Sequence, residues 1–277
     1  MPLVKAVNSS GLILPVETRT TAIDGDFVFM IDATTNIPYR ITKADLLAGL
    51  SSSGTSGSSG GSGGGTDSYS SNVVLLLHGD ETDGSSVITN SGKNTYSVSI
   101  SNPNNGVKNS STRAKFNNSL YFDGSSSLNC VSSSFNVGSQ DCTIEFFVNI
   151  NSTVLLFDMR PDGGNGAFPA LYLNGGNLTL YFNTVDAIST LAALTMNTWY
   201  YIAVKKIGTT TQLWLNGTKL GEFASGDWAS SGRIKIGENS SPAPGTNLNG
   251  YIDEFRFTLG TARDVSVVPS AAFPTSA

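Results

Sequence analysis

The sequence predicts an all-β protein, an antiparallel sandwich preceded by a small module and a linker, and three observations lead to this. Short apolar runs with an alternating pattern recur between residues 73 and 257, as expected for half-buried strands. Turn-forming pairs such as Asn216-Gly217 stand between neighbouring runs. A stretch of Ser and Gly, residues 51–65, divides the chain into two unequal parts. Many strands at near-regular spacing, with almost no helical periodicity, are typical of an antiparallel sandwich.

The Ser/Gly stretch sets the domain boundaries. Fourteen of its fifteen positions are Ser or Gly, and such a composition cannot bury enough apolar surface to offset the entropy of ordering the chain. We therefore predict a small module at residues 1–50, a flexible linker at residues 51–65 and a globular domain at residues 66–277. The globular domain is long enough for one core, whereas fifty residues are marginal alone, which favours docking or oligomerisation of the first module.

The first module is predicted to fold as a ββα unit. Two short extended runs, residues 27–32 and 37–42, flank the turn-prone sequence Ala-Thr-Thr-Asn. Thr42 is a good N-cap for a short helix over residues 43–50, because Asp45 follows in the first turn and leucines form one side. This unit exposes more apolar surface than it can hide, and trimerisation would cover it.

The large domain contains eleven predicted strands. Each is an alternating or fully apolar run bounded by turn residues. They cover residues 73–78, 119–123, 127–132, 142–150, 154–158, 170–173, 178–182, 199–207, 212–215, 233–236 and 250–257. The runs show no self-similar period, so they predict one sandwich rather than an array of repeats.

The composition limits the classes of partner. Charged residues make up 13% of the chain and the formal net charge is −5, so we do not predict the basic patch that a nucleic acid or an anionic membrane requires. No apolar run is long enough to span a bilayer, and the amino terminus lacks the features of a signal peptide. We therefore expect synthesis in a cytosol, with retention there, release by lysis or export inside a particle. Cys130 and Cys142 are predicted to be free thiols, with a disulfide as the alternative.

Five sequence blocks in a fixed order carry a family resemblance. They are N-V-V-L-L-L-H-G-D-E-T-D-G at 72–84, S-L-Y-F-D-G-S-S-S-L at 119–128, D-C-T-I-E-F-F-V at 141–148, the pair N-T-W-Y-Y-I-A-V-K-K and Q-L-W-L-N-G-T-K-L at 197–206 and 212–220, and G-Y-I-D-E-F-R-F-T-L-G-T-A-R at 250–263. Together they resemble the laminin G-like, or concanavalin A-like lectin/glucanase, domains. The resemblance implies a two-sheet jelly roll that binds glycans or proteins and, in many members, a calcium ion.

The first module carries a second, shorter resemblance. Residues 24–50, which include D-G-D-F-V-F-M-I-D and P-Y-R-I-T-K-A-D-L-L-A-G-L, are similar to a short module found before the receptor-binding domains of bacteriophage fibre and spike proteins. The similarity implies a virion protein made in the host bacterial cytoplasm, a homotrimer whose residues 1–50 attach to tail, neck or capsid proteins. The carboxy-terminal domain is then expected to bind host-surface carbohydrate. The alternative is a capsid or neck decoration protein whose sandwich is structural and has no glycan ligand.

The resemblance also implies where calcium would bind. It places Asp80, in an acidic loop after the first strand, and Asp253, in the closing strand, near such a site, with Asp123 as a third candidate. Calcium takes hard oxygen ligands, which carboxylates supply. The alternative is that these acids only cap turns, because Asp before Gly is ordinary turn chemistry. His78 is expected to pack at a strand end rather than to bind a ligand.

Hydrolysis of glycans is not predicted. A retaining glycosidase needs two carboxylates about 5–5.5 Å apart, projecting from one strand face. Asp253 and Glu254 are adjacent, so strand alternation predicts that they point to opposite faces. Glu145 has no acidic neighbour at two-residue spacing. We therefore expect a binding protein rather than an enzyme.

Three loops combine aromatic, Asn, Asp and Gly residues as sugar-binding sites do, because sugar rings have apolar faces and hydroxyl edges. The loops cover residues 160–168, 224–231 and 238–249. Their candidate ligand-binding residues are Arg160, Asp162, Asn165, Trp228, Asn239 and Asn247. Trp228 has an alternative role as a plug at the sandwich end, and Trp199 and Trp214 are expected to be core residues of the central hairpin.

Overall fold

The structure is a computed structural model that describes the backbone of residues 4–7, 13–16, 27–31 and 38–42 and, with side chains, residues 67–93, 96–152, 155–240 and 247–275. The chain divides into two compact units, Met1–Ser58 and Ser59–Ala277. The linker predicted at residues 51–65 and the helix predicted at 43–50 lie outside the described residues. In the part of the chain that is described, no helix has the length and apolarity needed to cross a membrane.

The first unit contains two short antiparallel strand pairs. Strand β1, Val4–Val7, pairs with β2, Ile13–Val16. Strand β3, Phe27–Ile31, pairs with β4, Pro38–Thr42. The two extended runs predicted for this module are confirmed as β3 and β4. Strands β1 and β2 are not predicted, because the apolar patch that forms them is short and is interrupted by Pro15.

The second unit is built almost entirely of strands. In chain order the described strands are β5 Val73–Leu77, β6 Ser99–Ser101, β7 Lys108–Ser110, β8 Ser119–Asp123, β9 Leu128–Val131, β10 Cys142–Ile150, β11 Leu155–Asp158, β12 Ala170–Asn174, β13 Asn177–Phe182, β14 Val185–Ser189, β15 Trp199–Ile207, β16 Thr210–Leu215, β17 Thr218–Ala224, β18 Arg233–Ile236 and β19 Asn249–Leu259. Short 3-10 turns lie at Ser70–Asn72, Pro103–Asn105 and Ser133–Phe135. Each of the eleven predicted strands has a counterpart, whereas β6, β7, β14 and β17 are not predicted.

The described strands of this unit form two antiparallel sheets. Sheet I has the order β17-β16-β15-β10-β19-β8-β7, and β5 also pairs with β19. Sheet II has the order β14-β13-β12-β11-β18-β9-β6. The long strand β19 pairs with β10 along one side, and with β8 and then β5 along the other. The two sheets form a jelly-roll sandwich, and the predicted all-β fold class is confirmed.

The core lies between the two sheets and is built from alternate residues of the strands. The ring of Phe146 in β10 stacks on Phe255 in β19, with centroids 5.2 Å apart, and meets Phe157 in β11 edge-on at 6.3 Å. All three side chains are fully buried, and large aromatic rings contribute strongly to the stability of such a core. Cys130 and Cys142 belong to the same core as free thiols, as predicted, and burial raises the pKa of Cys130 to about 12.

The outer face of sheet I is buried as well. Phe147, whose neighbours in β10 face the core, packs there with Val265 and Phe273 from the segment that follows β19. Strands β10 and β19 are therefore covered on both faces, which accounts for their nearly continuous burial. Trp199 and Trp214 pack against this outer cluster and are half-buried. They are predicted to be core residues of the central hairpin; they do pack against a buried hydrophobic cluster, but it is the outer one and they are only partly buried.

A buried ionic cluster joins the start of the sandwich to its last strand. Arg263 donates hydrogen bonds to both oxygens of Asp67, at 3.0 and 2.7 Å, and Arg256 lies 3.3 Å from the same carboxylate. Arg256 also pairs with Glu145 at 2.8 Å, and Glu145 accepts a hydrogen bond from the Tyr201 hydroxyl. Burial would raise the pKa of Asp67, but the hydrogen bonds from Arg263 outweigh it and hold that pKa below its ordinary value.

Candidate functional site

Two of the predicted ligand-binding loops meet at the outer face of sheet II. Loop 160–168 follows β11 and loop 238–249 follows β18, and these strands are neighbours in the sheet. The Gly163 N–H donates to the Ser240 carbonyl at 3.1 Å. The Ser240 N–H in turn donates to the carboxylate of Asp158, the last residue of β11, at 2.8 Å. Hydrogen bonds thus fix the described start of the second loop to the first loop and to the sheet.

Two tyrosines stand on the same outer face. Tyr172 of β12 and Tyr181 of β13 alternate with the core residues Leu171 and Leu180, so their rings project away from the core. Both are half-buried. The Tyr172 hydroxyl donates a 2.5 Å hydrogen bond to Asp186 of β14, and burial together with this carboxylate raises the pKa of Tyr172. These tyrosines are not among the predicted site residues, although the alternation Leu-Tyr-Leu and Leu-Tyr-Phe marks both as outward-facing.

Arg160 is the centre of the site. Its guanidinium carbon lies 4.9 Å from the centroid of the Tyr181 ring, within cation–π range. Its Nε and Nη2 donate to the two carboxylate oxygens of Asp158, at 3.0 and 2.7 Å, and Asp158 is fully buried. Burial alone would lower the pKa of Arg160, but the Asp158 carboxylate raises it above its ordinary value. The guanidinium is therefore a permanent cation held in one orientation.

Two predicted asparagines join Arg160. Asn239 Oδ1 accepts a hydrogen bond from Arg160 Nη2 at 3.0 Å, and Asn165 Oδ1 lies 3.4 Å from Nη1. Asn165 Oδ1 also accepts from the Tyr181 hydroxyl at 3.1 Å. Three residues that the sequence suggested from loop composition alone are thus gathered around one tyrosine ring.

Asp162 lies at the edge of this group. Its carboxylate accepts two hydrogen bonds from Arg233, at 2.6 and 2.8 Å, and lies 3.0 Å from Lys235 Nζ. Arg233 also donates to the Arg160 carbonyl at 2.8 Å. This hydrogen bond connects the Asp162 ion pairs to the group around Arg160 and Tyr181. The two cations hold the pKa of Asp162 well below its usual range, although its side chain is 67% exposed.

Two other candidates do not join this group. Trp228 is buried; its indole N–H donates to Thr211 at 2.9 Å and its ring packs near Phe182. Because its surface is taken up by the core, it is a plug at the sandwich end, and the prediction that it contacts a ligand is wrong. Asn247 is half-buried beside residues 241–246, which lie outside the described residues, so its role stays a prediction.

The predicted calcium ligands lie at two separate places. Asp80 accepts a 2.9 Å hydrogen bond from the N–H of Asn118, just before β8, and Asp253 lies in β19 beside the same end of β8. Asp123 ends β8, where both the N–H and the hydroxyl of Ser125 donate to it, so it caps its own turn. Because a strand of five residues is roughly 17 Å long, Asp123 cannot share an ion with the other two.

His78 and Glu254 lie near Asp80 instead. His78 Nδ1 is 2.8 Å from a Glu254 oxygen, and these three residues each place one possible ligand atom within 4.8 Å of the others. An imidazole nitrogen is a poor ligand for a hard cation such as Ca²⁺, which takes about six to eight oxygens. The donor set therefore does not fit calcium. The sequence suggested that His78 only packs at a strand end. In the structure its ring is also hydrogen-bonded to the carboxylate of Glu254.

Asp253 and Glu254 lie on the same face of sheet I, and the prediction of opposite faces is wrong. The register of β19 against β10 shifts by one residue at this point, and Glu254 has a φ of +56°, which together form a β-bulge that interrupts the alternation. Asp253 accepts from the N–H of Phe116, and Glu254 accepts from that of Phe273. Burial, with the nearby carboxylates of Glu254 and Asp80, raises the pKa of Asp253 to about 7.

The outer face of sheet II combines two kinds of contact. The tyrosine rings offer apolar surface, and the exposed amide of Asn165 and carboxylate of Asp186 lie at the edge of that surface as hydrogen-bonding groups. A sugar ring has an apolar face and a rim of hydroxyl groups, so this combination can hold one.

Comparisons with known proteins agree with the fold. The laminin G-type family model described as the Concanavalin A-like lectin/glucanases superfamily matches residues 122–262. No curated protein sequence matches the chain. Among solved structures, the binding domain of Paraclostridial Mosquitocidal Protein 1 is 17% identical with a TM-score of 0.54; the match covers 72% of this chain and 51% of that one.

Two further structures have ligands in their descriptions. Domain 4 of AbnA, a GH43 extracellular arabinanase from Geobacillus stearothermophilus, in complex with arabinotriose, is 16% identical with a TM-score of 0.54, covering 70% of this chain and 97% of that one. The binding domain of Botulinum Neurotoxin DC in complex with SialylT is 12% identical with a TM-score of 0.51, covering 72% and 50%. The chain thus spans about half the length of the toxin binding domains. At these identities the likeness shows the fold.

Proposed function

The chain belongs to the Concanavalin A-like lectin/glucanases superfamily, and from this premise we propose that its sandwich domain binds carbohydrate on the outer face of sheet II. The matched residues, 122–262, include every strand of the candidate site. The observation that carries the proposal is the fixed arrangement of Arg160 over Tyr181 with Asn165 at the ring's edge. The structural neighbours solved with arabinotriose and with SialylT support a glycan as the ligand class.

The site is already ordered before a ligand arrives. Arg160 is held by the buried Asp158, so its position over Tyr181 costs no additional side-chain entropy on binding. We propose that a sugar ring packs its apolar face against Tyr172 and Tyr181. Its hydroxyl groups would then form hydrogen bonds with the exposed side-chain amide of Asn165 and the exposed carboxylate of Asp186.

We propose a binding protein rather than a glycosidase. Asp253 and Glu254 share a face of sheet I, but both are fully buried and both accept hydrogen bonds from backbone N–H groups. A catalytic pair must face the bound sugar with a separation of roughly 5–5.5 Å or more. Carboxylates covered by the segment that follows β19 cannot reach a polysaccharide.

We also propose that the sandwich is the host-binding head of a bacteriophage fibre or spike. Residues 1–50 would attach the protein, as a homotrimer, to tail, neck or capsid proteins, and the virion would carry it to host-surface carbohydrate. The division into two compact units supports separate attachment and binding parts. Several heads on one particle would raise the effective concentration and make weak single sites sufficient.

The test is a glycan array that includes host-surface polysaccharides, probed with the full-length protein. Tyr181→Ala removes the ring beneath Arg160, and we expect at least about tenfold weaker binding to each glycan that the wild type retains. The matched control is Tyr96→Ala, since the Tyr96 hydroxyl bonds to Ser71 beside β5 and neither residue belongs to the candidate site. Absence of any glycan binding by the folded wild type contradicts the function, and full binding by Tyr181→Ala contradicts the site.

A further inference from the structure

We infer that the site on sheet II takes neutral glycans and excludes glycans that carry carboxylates. This inference rests on the proposed function and concerns the charge of the ligand. It follows from the way in which the charged side chains of the site are already paired with one another.

Each described cation of the site has a carboxylate partner within the site. The pairs are Arg160–Asp158, Arg233–Asp162, Lys235–Asp162 and Lys235–Glu238, with N–O distances of 2.7, 2.6, 3.0 and 3.5 Å. Three cations therefore face three carboxylates, and the described site has no net positive charge. An acidic sugar would find no cation whose charge is still uncompensated.

A carboxylated sugar would have to displace Asp162. The side chains of Arg233 and Lys235 are only 12% and 10% exposed, whereas that of Asp162 is 67% exposed. Asp162 thus stands between the two cations and the solvent, and an approaching anion meets its negative charge first. Breaking charge-assisted hydrogen bonds to partly desolvated cations is costly, because these are stronger than hydrogen bonds between neutral groups.

The groups that remain for a ligand are mainly acceptors. Asp162 and Asp186 are exposed, and each presents carboxylate oxygens. Neutral sugars bring hydroxyl donors to such oxygens, whereas a carboxylate brings only more acceptors. The formal net charge of −5 on the whole chain adds repulsion for a polyanionic polysaccharide.

The first experiment measures binding to pairs of immobilised oligosaccharides. Each pair consists of a neutral glycan and its counterpart that carries a carboxylate, as sialic acid or as a uronic acid. The probe is the full-length protein at fixed low ionic strength. We expect the neutral member to bind at least about tenfold more tightly. Equal or tighter binding of the acidic members overturns the inference and leaves the proposed function standing, whereas no binding to either member overturns both.

The second experiment changes the site's charge. Asp162→Asn removes one negative charge beside Arg233 and Lys235, and we expect this variant to bind the acidic glycans at least about tenfold more tightly than the wild type does. The matched control, Glu222→Gln, removes an exposed carboxylate from β17 of sheet I and should leave acidic binding as it is in the wild type. A folded Asp162→Asn protein with no gain in acidic binding overturns the inference.

Discussion

Asp67 is the residue on which the buried ionic cluster depends. It is the shared acceptor for Arg263 and Arg256, and its side chain is almost completely buried. A buried ion pair adds little stability over an apolar replacement of both partners, but loss of one partner is costly because a charge is left uncompensated. Asp67 is therefore a sensitive position, although it lies next to the predicted linker.

Asp67→Asn is expected to lower the free energy of unfolding at pH 7 by about 3 kcal/mol. The pKa of Asp67 is lower in the folded than in the unfolded state. Its contribution to stability is therefore fully present at pH values above the unfolded-state pKa of about 4, and it is lost as the pH falls through the folded-state pKa. Urea unfolding between neutral and acidic pH measures this. The wild type should lose more stability on acidification than the variant, and parallel curves would contradict the prediction.

Calcium is expected to leave the melting temperature unchanged, because the donors near Asp80 include an imidazole and too few oxygens. Melting curves recorded with calcium and with a chelator check this. A rise in melting temperature that Asp80→Asn abolishes and Asp123→Asn preserves would instead support a calcium ion at the Asp80 end of β8.

The segment that follows β19 functions as a cover for sheet I. The ring centroid of Phe273 lies 3.6 Å from the Arg256 guanidinium carbon, and its N–H donates to Glu254 at 2.7 Å. The Thr275 hydroxyl lies 3.3 Å from Nε2 of His78. These contacts hold an irregular segment on a sheet face that would otherwise expose a large aromatic surface.

Phe273→Ala is expected to lower the free energy of unfolding by about 3 kcal/mol, because it removes a buried ring from the outer cluster. The control is Val267→Ala in the same segment, where the side chain is 54% exposed and the expected change is below about 0.5 kcal/mol. Urea unfolding at neutral pH separates the two. Equal, small effects of both substitutions would mean that the segment contributes little to the fold.

The strands of the core could be predicted because a buried strand needs an apolar or alternating run of residues, and such runs are visible in the sequence. Strands β8, β10, β15 and β18 match their predicted bounds, since each is an apolar run ended by turn residues. Strands β6, β7, β14 and β17 are rich in Ser, Asn, Lys and other polar residues. Their extended form comes from hydrogen bonds to a neighbouring strand, which local composition does not reveal.

The site was predictable only in part, for a similar reason. Loop composition pointed to Arg160, Asn165 and Asn239, but the contact that joins Arg160 to Asn239 spans 79 positions of sequence. No local pattern encodes such a distance. The bulge at Glu254 has no Gly or Pro to mark it, so alternation placed the side chain on the wrong face.

The two compact units lead to an expectation for the entire protein. Residues 66–277 alone are expected to unfold at the same temperature as they do in the full chain, because the described core draws on this part only. The full chain is expected to sediment as a trimer and the truncated chain as a monomer. Melting curves and analytical ultracentrifugation measure the two properties. A monomeric full chain would contradict the proposed attachment module.

We expect the buried pairing of Asp67 to strengthen the sandwich against a pulling force. A force that reaches Asp67 along the backbone would act on a residue whose carboxylate is paired with Arg263 and Arg256 away from solvent. It then passes into β5, which is hydrogen-bonded to the long strand β19. The sandwich would therefore resist peeling at this end.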